Sequence, residues 1–347
     1  MAFYSVKISP IDYDVKPKEI VIEPKSIDED KLIVKNDNDK SFLFKIYIIL
    51  GLTISWGLYN ILIKYTVLDV KEEDQFFSPV LPVLCESLKL IFAFILYFRE
   101  SNFSIKKFCN GIYNEIILKP KDFLKISPAA VGYILQNNLE IISAQNLDPG
   151  IYQVTSQIKI VSSALFMVLF LKQNQSFKRW ICIFLMFVGI VISPLGEEMN
   201  KKLLIGLISV LITSIFTGFA SVYFEKMLKN GTQSSLWLRS IQLYIWGIFS
   251  AIICLVSKNT SGIIEKGVFH GFTHIVWLSM IVLAIGGIYN SMIIKYINSL
   301  YKCFASTLTI TLVSLISVFL FHVTLSLSFI ISFSIVVLSV IAYNLVS

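Results

Sequence analysis

Lys159 and Lys302 are the residues whose chemistry asks first for an explanation, because each stands in or beside a long apolar run. An ammonium group inside lipid is costly enough to imply a function. Tyr152, Ser156 and Lys159 fall at i, i+4 and i+7, so on one helix the three share a face able to line a wet cavity. No carboxylate stands on that segment to neutralise the lysine, which favours an anionic ligand. Lys302 follows Asn298-Ser299-Leu300-Tyr301 near the start of a predicted helix, where exposed backbone N–H groups already attract anions. A cation added there makes a phosphate site; a lysine snorkelling to the interface is the blander alternative.

Other polar groups in apolar runs sort differently. Glu86 and Lys89, at i and i+3, read as a buried pair that neutralises itself. Arg239 is expected either to snorkel or to pair with Glu86 from another helix. The run around residue 135 carries Tyr133, Gln136, Asn137, Asn138 and Glu140. Intramembrane amides and hydroxyls bond helix to helix about as often as they hold a ligand.

These residues need elements to hold them. Hydrophobic residues make up 55% of the chain and charged ones 15%, with a mean hydropathy of +0.73, so most of the chain belongs in a membrane. Windows of roughly 20 apolar residues begin near 42, 79, 123, 148, 177, 202, 234, 273, 299 and 324, giving an all-α polytopic protein of about ten transmembrane helices. The third and fourth runs, and the eighth and ninth, are separated by so few polar residues that each pair reads as a tight helical hairpin. Residues 1–41, rich in Lys, Asp, Glu and Pro, read as a disordered cytosolic tail ahead of a transporter domain over 42–347.

Basic residues of the tail and of alternate loops, the loop holding Lys106, Lys107, Lys119 and Lys121 among them, collect on one side. That makes it the cytosolic side and puts both termini there. Asp69 to Asp74 and the pair Glu197 and Glu198 then face the other side, as does Asn259 in an Asn-Thr-Ser sequon expected in a loop. The net charge of +7 needs no nucleic acid to explain it. The five cysteines have neither disulfide spacing nor metal-ligand spacing, and nothing in the sequence implies a cofactor.

The chain also aligns weakly with itself. Cys85-Glu86-Ser87-Leu88-Lys89-Leu90 sets over Leu238-Arg239-Ser240-Ile241-Gln242-Leu243, and "IVSSALFMVLF" over "TLVSLISVFLF". Two halves follow, about 42–195 and 202–347, each with an odd number of spans and therefore inverted with respect to one another. In such folds the substrate site lies near the midplane at the repeat interface. The alignment sets Lys302 opposite Ile151, so the two lysines are separately placed anchors and not symmetry mates.

The stretch "GYILQNNLEIISAQNLDPGIYQVTSQIKIVSSALFMVLFL", with "CESLKL", "GFASVYFEKMLK", "SLWLRSIQLY" and "GGIYNSMIIKYINSLYKCFAS", resembles the nucleotide-sugar transporters. The resemblance is to the group carrying CMP-sialic acid, UDP-galactose and UDP-N-acetylglucosamine, within the drug/metabolite transporter superfamily. It implies two inverted five-helix repeats in a Golgi or endoplasmic reticulum membrane. The implied activity is exchange of a cytosolic nucleotide sugar for lumenal nucleoside monophosphate, UMP or CMP. It assigns phosphate contacts to Lys159 and Lys302, nucleotide contacts to Tyr152 and Asn137, and weaker correspondences to Tyr133 and Tyr244. Relatives have tyrosine where this chain has Ser156 and asparagine where it has Ser240. Both positions are expected to face the cavity and so bear on substrate preference.

Other classes fare worse. An enzyme is disfavoured, since there is no HExxH, no paired aspartate motif and no nucleophile with a base beside it. An exporter of another small organic solute at a different membrane is the alternative, and a cationic cavity suits it less than it suits a polyanion. The expected partners are the exchanged nucleotides, membrane lipid and, left open, a second copy of the chain as a homodimer.

Overall fold

The computed structural model describes residues 42–67, 74–147, 149–192, 200–229, 235–321 and 327–345. The expected tail over 1–41, residues 69–73 of the acidic stretch, and Glu197 with Glu198 lie outside them. Regular structure among the described residues is helical throughout: α1 (Phe42–Val67), α2 (Val80–Glu100), α3 (Ile105–Ile112), α4 (Pro120–Leu124), α5 (Ser127–Asn146), α6 (Pro149–Thr155), α7 (Ile158–Leu171), α8 (Phe177–Ile192), α9 (Lys201–Lys229), α10 (Leu236–Lys266), α11 (His274–Tyr296), α12 (Ser299–Phe321) and α13 (Leu327–Leu345). A short π-helical turn, Tyr113–Ile117, follows α3. Every expected span start falls within about one turn of a helix start.

Among the described residues, five helices are long and apolar enough to cross a membrane: α1, α2, α9, the first part of α10 through Ser257, and α11. Two shorter apolar segments, Ile158–Leu171 and Ile330–Tyr343, add to them. The burial pattern of α9 shows which solvent it faces. Leu204, Ile208, Leu211 and Ile215 are exposed, while Ser214, Thr217 and Ser221 are buried. Such a helix is apolar outside and polar inside, the reverse of a water-facing helix.

The helices pair in a definite pattern. α9 packs against α5 and α7, and α1 packs against α11 and α12; α10 packs on α2 and α5, and α2 also on α11; α13 packs on α8, and α12 on α7. One apolar core joins Val154, Ile160 and Met167 to Met186, Phe304 and Val336. A second joins Leu52, Ala93 and Ile126 to Phe224, Tyr244 and Ile293. Gly286 and Gly287 set the distance of α11 from α1 and α2. A Cβ on Gly286 would lie 3.0 Å from Trp56 Cδ1 and 3.3 Å from Ser55 Cβ, and one on Gly287 would run into the Lys89 side chain.

Three sequence expectations need correction. The fourth apolar run is not one helix: α6 stops at Thr155 and α7 starts at Ile158. The Thr155 hydroxyl donates to the Ile151 and Tyr152 carbonyls at 2.7 and 3.3 Å, back-bonding that bends helices. The chain then tightens into i to i+3 bonds from Gln157 N to Val154 O at 3.1 Å and from Ile160 N to Gln157 O at 2.9 Å. The expected loop holding Lys106, Lys107, Lys119 and Lys121 is largely helical, built of α3, the π turn and α4. Asn259 falls within α10 and not in a loop, because that helix runs on past its apolar part to a stop at Gly267, whose φ is 84°.

Candidate functional site

Around the two lysines the geometry is built from four helices. Lys302 stands in the first turn of α12 and is only 4% exposed. Its ammonium donates to Ser221 Oγ on α9 at 2.7 Å and lies over the Tyr133 ring of α5, 4.9 Å from the centroid. Cation–π contacts of this kind favour a desolvated cation. Tyr133 in turn donates to Ser221 Oγ at 3.4 Å.

Lys159, half-buried in the first turn of α7, donates to Ser306 Oγ at 2.6 Å. Ser306 is one turn beyond Lys302 on α12. Both ammonium groups therefore come to neighbouring turns of α12, and among the described residues neither forms an ion pair. A phosphate would replace a neutral hydroxyl as partner, and hydrogen bonds to ionised acceptors are the stronger kind.

The break in the fourth run holds this arrangement. Gln157, at the break, accepts from Thr307 Oγ1 at 2.8 Å, and its Nε2 donates to Ser156 Oγ at 3.3 Å. Cys303 lies 3.3 Å from Ser163 Oγ. Tyr152, Ser156 and Lys159 thus ride on two helix pieces pinned to α12. Tyr152 turns toward α5 instead, its hydroxyl donating to Glu140 Oε1 at 2.9 Å. Discontinuous helices beside a site are a feature of transport proteins.

Comparison with known proteins decides what such a site serves. The family model described as nucleotide-sugar transporter matches residues 40–344. The chain belongs to the nucleotide-sugar transporter family. It is 37% identical to UDP-galactose translocator 1 of Caenorhabditis elegans over 100% of both chains. To the UDP-galactose/UDP-N-acetylglucosamine transporter srf-3 of the same organism it is 30% identical, over 86% of this chain and 82% of that one. The human UDP-N-acetylglucosamine transporter is 32% identical over 79% of this chain and 86% of its own. A solved crystal structure covers 88% of this chain and 98% of that chain at a TM-score of 0.60 and 10% identity, a likeness of fold alone. The family makes this a multi-pass membrane transporter rather than an enzyme.

In this nucleotide-sugar transporter the remaining expected residues divide into two groups. Asn137 is half-buried on α5, one turn from Tyr133. Tyr244, buried on α10, belongs with the charge pair: Lys89 pairs with Glu86 and lies over the Tyr244 ring at 4.9 Å, and the Tyr244 hydroxyl meets Ser291 Oγ at 3.0 Å, while Ser240, also buried, stands one turn earlier on α10. The Glu86 side chain packs against Gly247 of α10. Arg239 stands eight residues earlier, roughly 12 Å along that helix, too far to reach Glu86. Its Nη1 donates to Gln242 Oε1 at 3.0 Å, and Gln242 Nε2 to the Glu115 carbonyl at 2.9 Å.

The start of α12 is not open to a phosphate, as its sequence implied. Glu225 Oε2 of α9 accepts from Ser299 N at 2.7 Å and from Ser299 Oγ at 2.5 Å, and Asn298 Oδ1 accepts from Tyr301 N at 2.9 Å. An internal carboxylate already occupies the positive helix end. Phosphate contact at Lys302 therefore falls to its side chain. Sequence reasoning missed Glu225, Ser221 and Ser306. Only Ser306 carried a signal, its i+4 spacing from Lys302; the other two reach α12 from a helix about 80 residues away in sequence, where no periodicity connects them.

Proposed function

We propose that the chain exchanges a cytosolic pyrimidine nucleotide sugar, UDP-galactose or UDP-N-acetylglucosamine before CMP-sialic acid, for lumenal UMP or CMP by alternating access. The observation that carries this reading is the pair of ammonium groups brought to adjacent turns of α12, each with a serine hydroxyl as its hydrogen-bond partner among the described residues. Two such cations suit a diphosphate or a monophosphate, and without cargo they repel one another, which disfavours return of the empty carrier. The names of the relatives favour uridine nucleotides.

The reading includes ten spans in two inverted repeats. Its support is that the most extensive helix pairings map onto one another when α1, α2, α5, α6 with α7, and α8 are exchanged for α9, α10, α11, α12 and α13. The pair α9 and α5 becomes α1 and α11, α9 and α7 becomes α1 and α12, and α10 and α5 becomes α2 and α11. Cytosolic termini follow from the distribution of basic residues, and a Golgi membrane from the family resemblance.

Counterflow tests the proposal. Proteoliposomes preloaded with UMP are expected to accumulate labelled UDP-galactose or UDP-N-acetylglucosamine faster than empty ones. Equal uptake with and without lumenal nucleotide would sink the exchange mechanism.

A further inference from the structure

Glu140 has no part in the phosphate contacts, yet it faces the same space. Tyr133, Asn137 and Glu140 fall at i, i+4 and i+7 on α5 and share one face. Tyr133 lies under the Lys302 ammonium at one end of that face, and Glu140 accepts from Tyr152 at the other, about 10 Å further along the helix. Glu140, half-buried, differs from the carboxylates buried in this bundle: Glu86 is paired with Lys89 and Glu225 with Lys229, whereas Glu140 forms no ion pair among the described residues. The hydrogen bond it accepts comes from a neutral phenol, so among the described residues its second oxygen remains available as an acceptor.

Glu140 stands about 10 Å along α5 from the ring under Lys302, a position that one end of a nucleotide sugar can reach when its phosphates sit at the lysines. A carboxylate there accepts hydrogen bonds from hydroxyls and repels another anion. We propose that Glu140 is a specificity-determining residue that accepts from the sugar hydroxyls, admitting nucleotides linked to an uncharged hexose and rejecting those whose sugar bears a carboxylate. This rests on the nucleotide-sugar reading above and narrows it.

UDP-glucose and UDP-glucuronate test it directly, because they share base, ribose and pyrophosphate and differ only in oxidation at C6 of the hexose. Their competition against labelled UDP-sugar counterflow, and their thermal stabilisation of the purified full-length protein, both report the ratio of affinities. The wild-type protein is expected to favour UDP-glucose at least tenfold, and Glu140→Gln to bring the two within about threefold. Glu140→Ala serves the same purpose should the glutamine variant misfold, and the wild-type ratio needs no variant. Equal affinities in the wild type, or a ratio unmoved in both variants, would overturn the assignment. Loss of UMP affinity in Glu140→Gln as large as the loss of UDP-glucose affinity would also overturn it, since UMP has no sugar. A wild-type protein that neither binds nor carries any uridine nucleotide would instead remove the transport reading, and this proposal with it.

Discussion

The ammonium of Lys159 crosses to α12 and donates to Ser306 at 2.6 Å, one helical turn beyond Lys302 on the same helix. Two cations from different parts of the chain are thereby registered on one helix. Their spacing is set by α12 and by the Gln157 to Thr307 bond that pins the break before Lys159. The site is thus a property of how α6 and α7 dock on α12, and a shift of that docking moves one cation relative to the other.

Replacing either lysine should abolish exchange and leave the fold intact. A hydrogen bond to a charged partner contributes about 1.5–3 kcal/mol, so Lys159→Ala and Lys302→Ala are each expected to weaken UMP binding by roughly 10- to 100-fold. Removing the lysine leaves behind only a serine hydroxyl, so melting temperature in detergent should change little. Normal counterflow in both variants would show that the phosphate binds elsewhere.

Tyr133 should act through its ring more than through its hydroxyl. The ring faces the Lys302 ammonium at 4.9 Å, whereas the hydroxyl's bond to Ser221 is a long 3.4 Å. A desolvated cation–π contact is worth about 0.5–2 kcal/mol. Tyr133→Phe is expected to stay close to wild type, and Tyr133→Leu to raise the KM for the nucleotide sugar by about 3- to 30-fold. A phenylalanine variant as impaired as the leucine one would assign the role to the hydroxyl.

The positions of the helices and of the two lysines were legible in the sequence because both are local signals: apolar windows, and cations that do not belong in them. The i, i+4, i+7 face of Tyr152, Ser156 and Lys159 was legible only on the assumption of a continuous helix. Thr155 ends that continuity by bonding back to the Ile151 carbonyl, a choice that a threonine in an apolar run does not announce. Partners on other helices were illegible for a different reason. Ser221 meets Lys302, and Glu225 meets Ser299, through α9, and contacts between distant segments leave no trace in spacing. Arg239 shows the converse error: charge type alone made Glu86 a candidate partner, but the length of α10 between Arg239 and Gly247 separates them.

Glu225 should matter to Lys302 without touching cargo. Its Oε2 takes the N–H and hydroxyl of Ser299, and its Oε1 takes the Lys229 ammonium at 2.6 Å, so it fixes the turn from which Lys302 projects. Glu225→Ala leaves a buried N–H without its acceptor, a cost of about 1–3 kcal/mol, and should lower melting temperature and raise the nucleotide KM together. Glu225→Gln keeps one acceptor oxygen and is expected to recover part of both. A KM that rises with no loss of stability would instead make Glu225 a direct ligand.

The Glu86–Lys89 pair should behave as structure. Its two members are held between Gly247 of α10 and Gly287 of α11, with the Tyr244 ring under the ammonium. Removing one partner leaves an uncompensated charge in a low-dielectric interior and typically costs 3–5 kcal/mol, whereas replacing both with apolar side chains of similar volume is often close to neutral. Glu86→Leu and Lys89→Met are therefore each expected to lower the thermal stability of the detergent-solubilised protein sharply. The double variant should be more stable than either single one, and should retain UMP binding because the phosphate contacts lie at Lys159 and Lys302. Additive losses in the double variant would mean that each charge has its own partner. Lost UMP binding in a stable double variant would move the pair from the scaffold into the binding site.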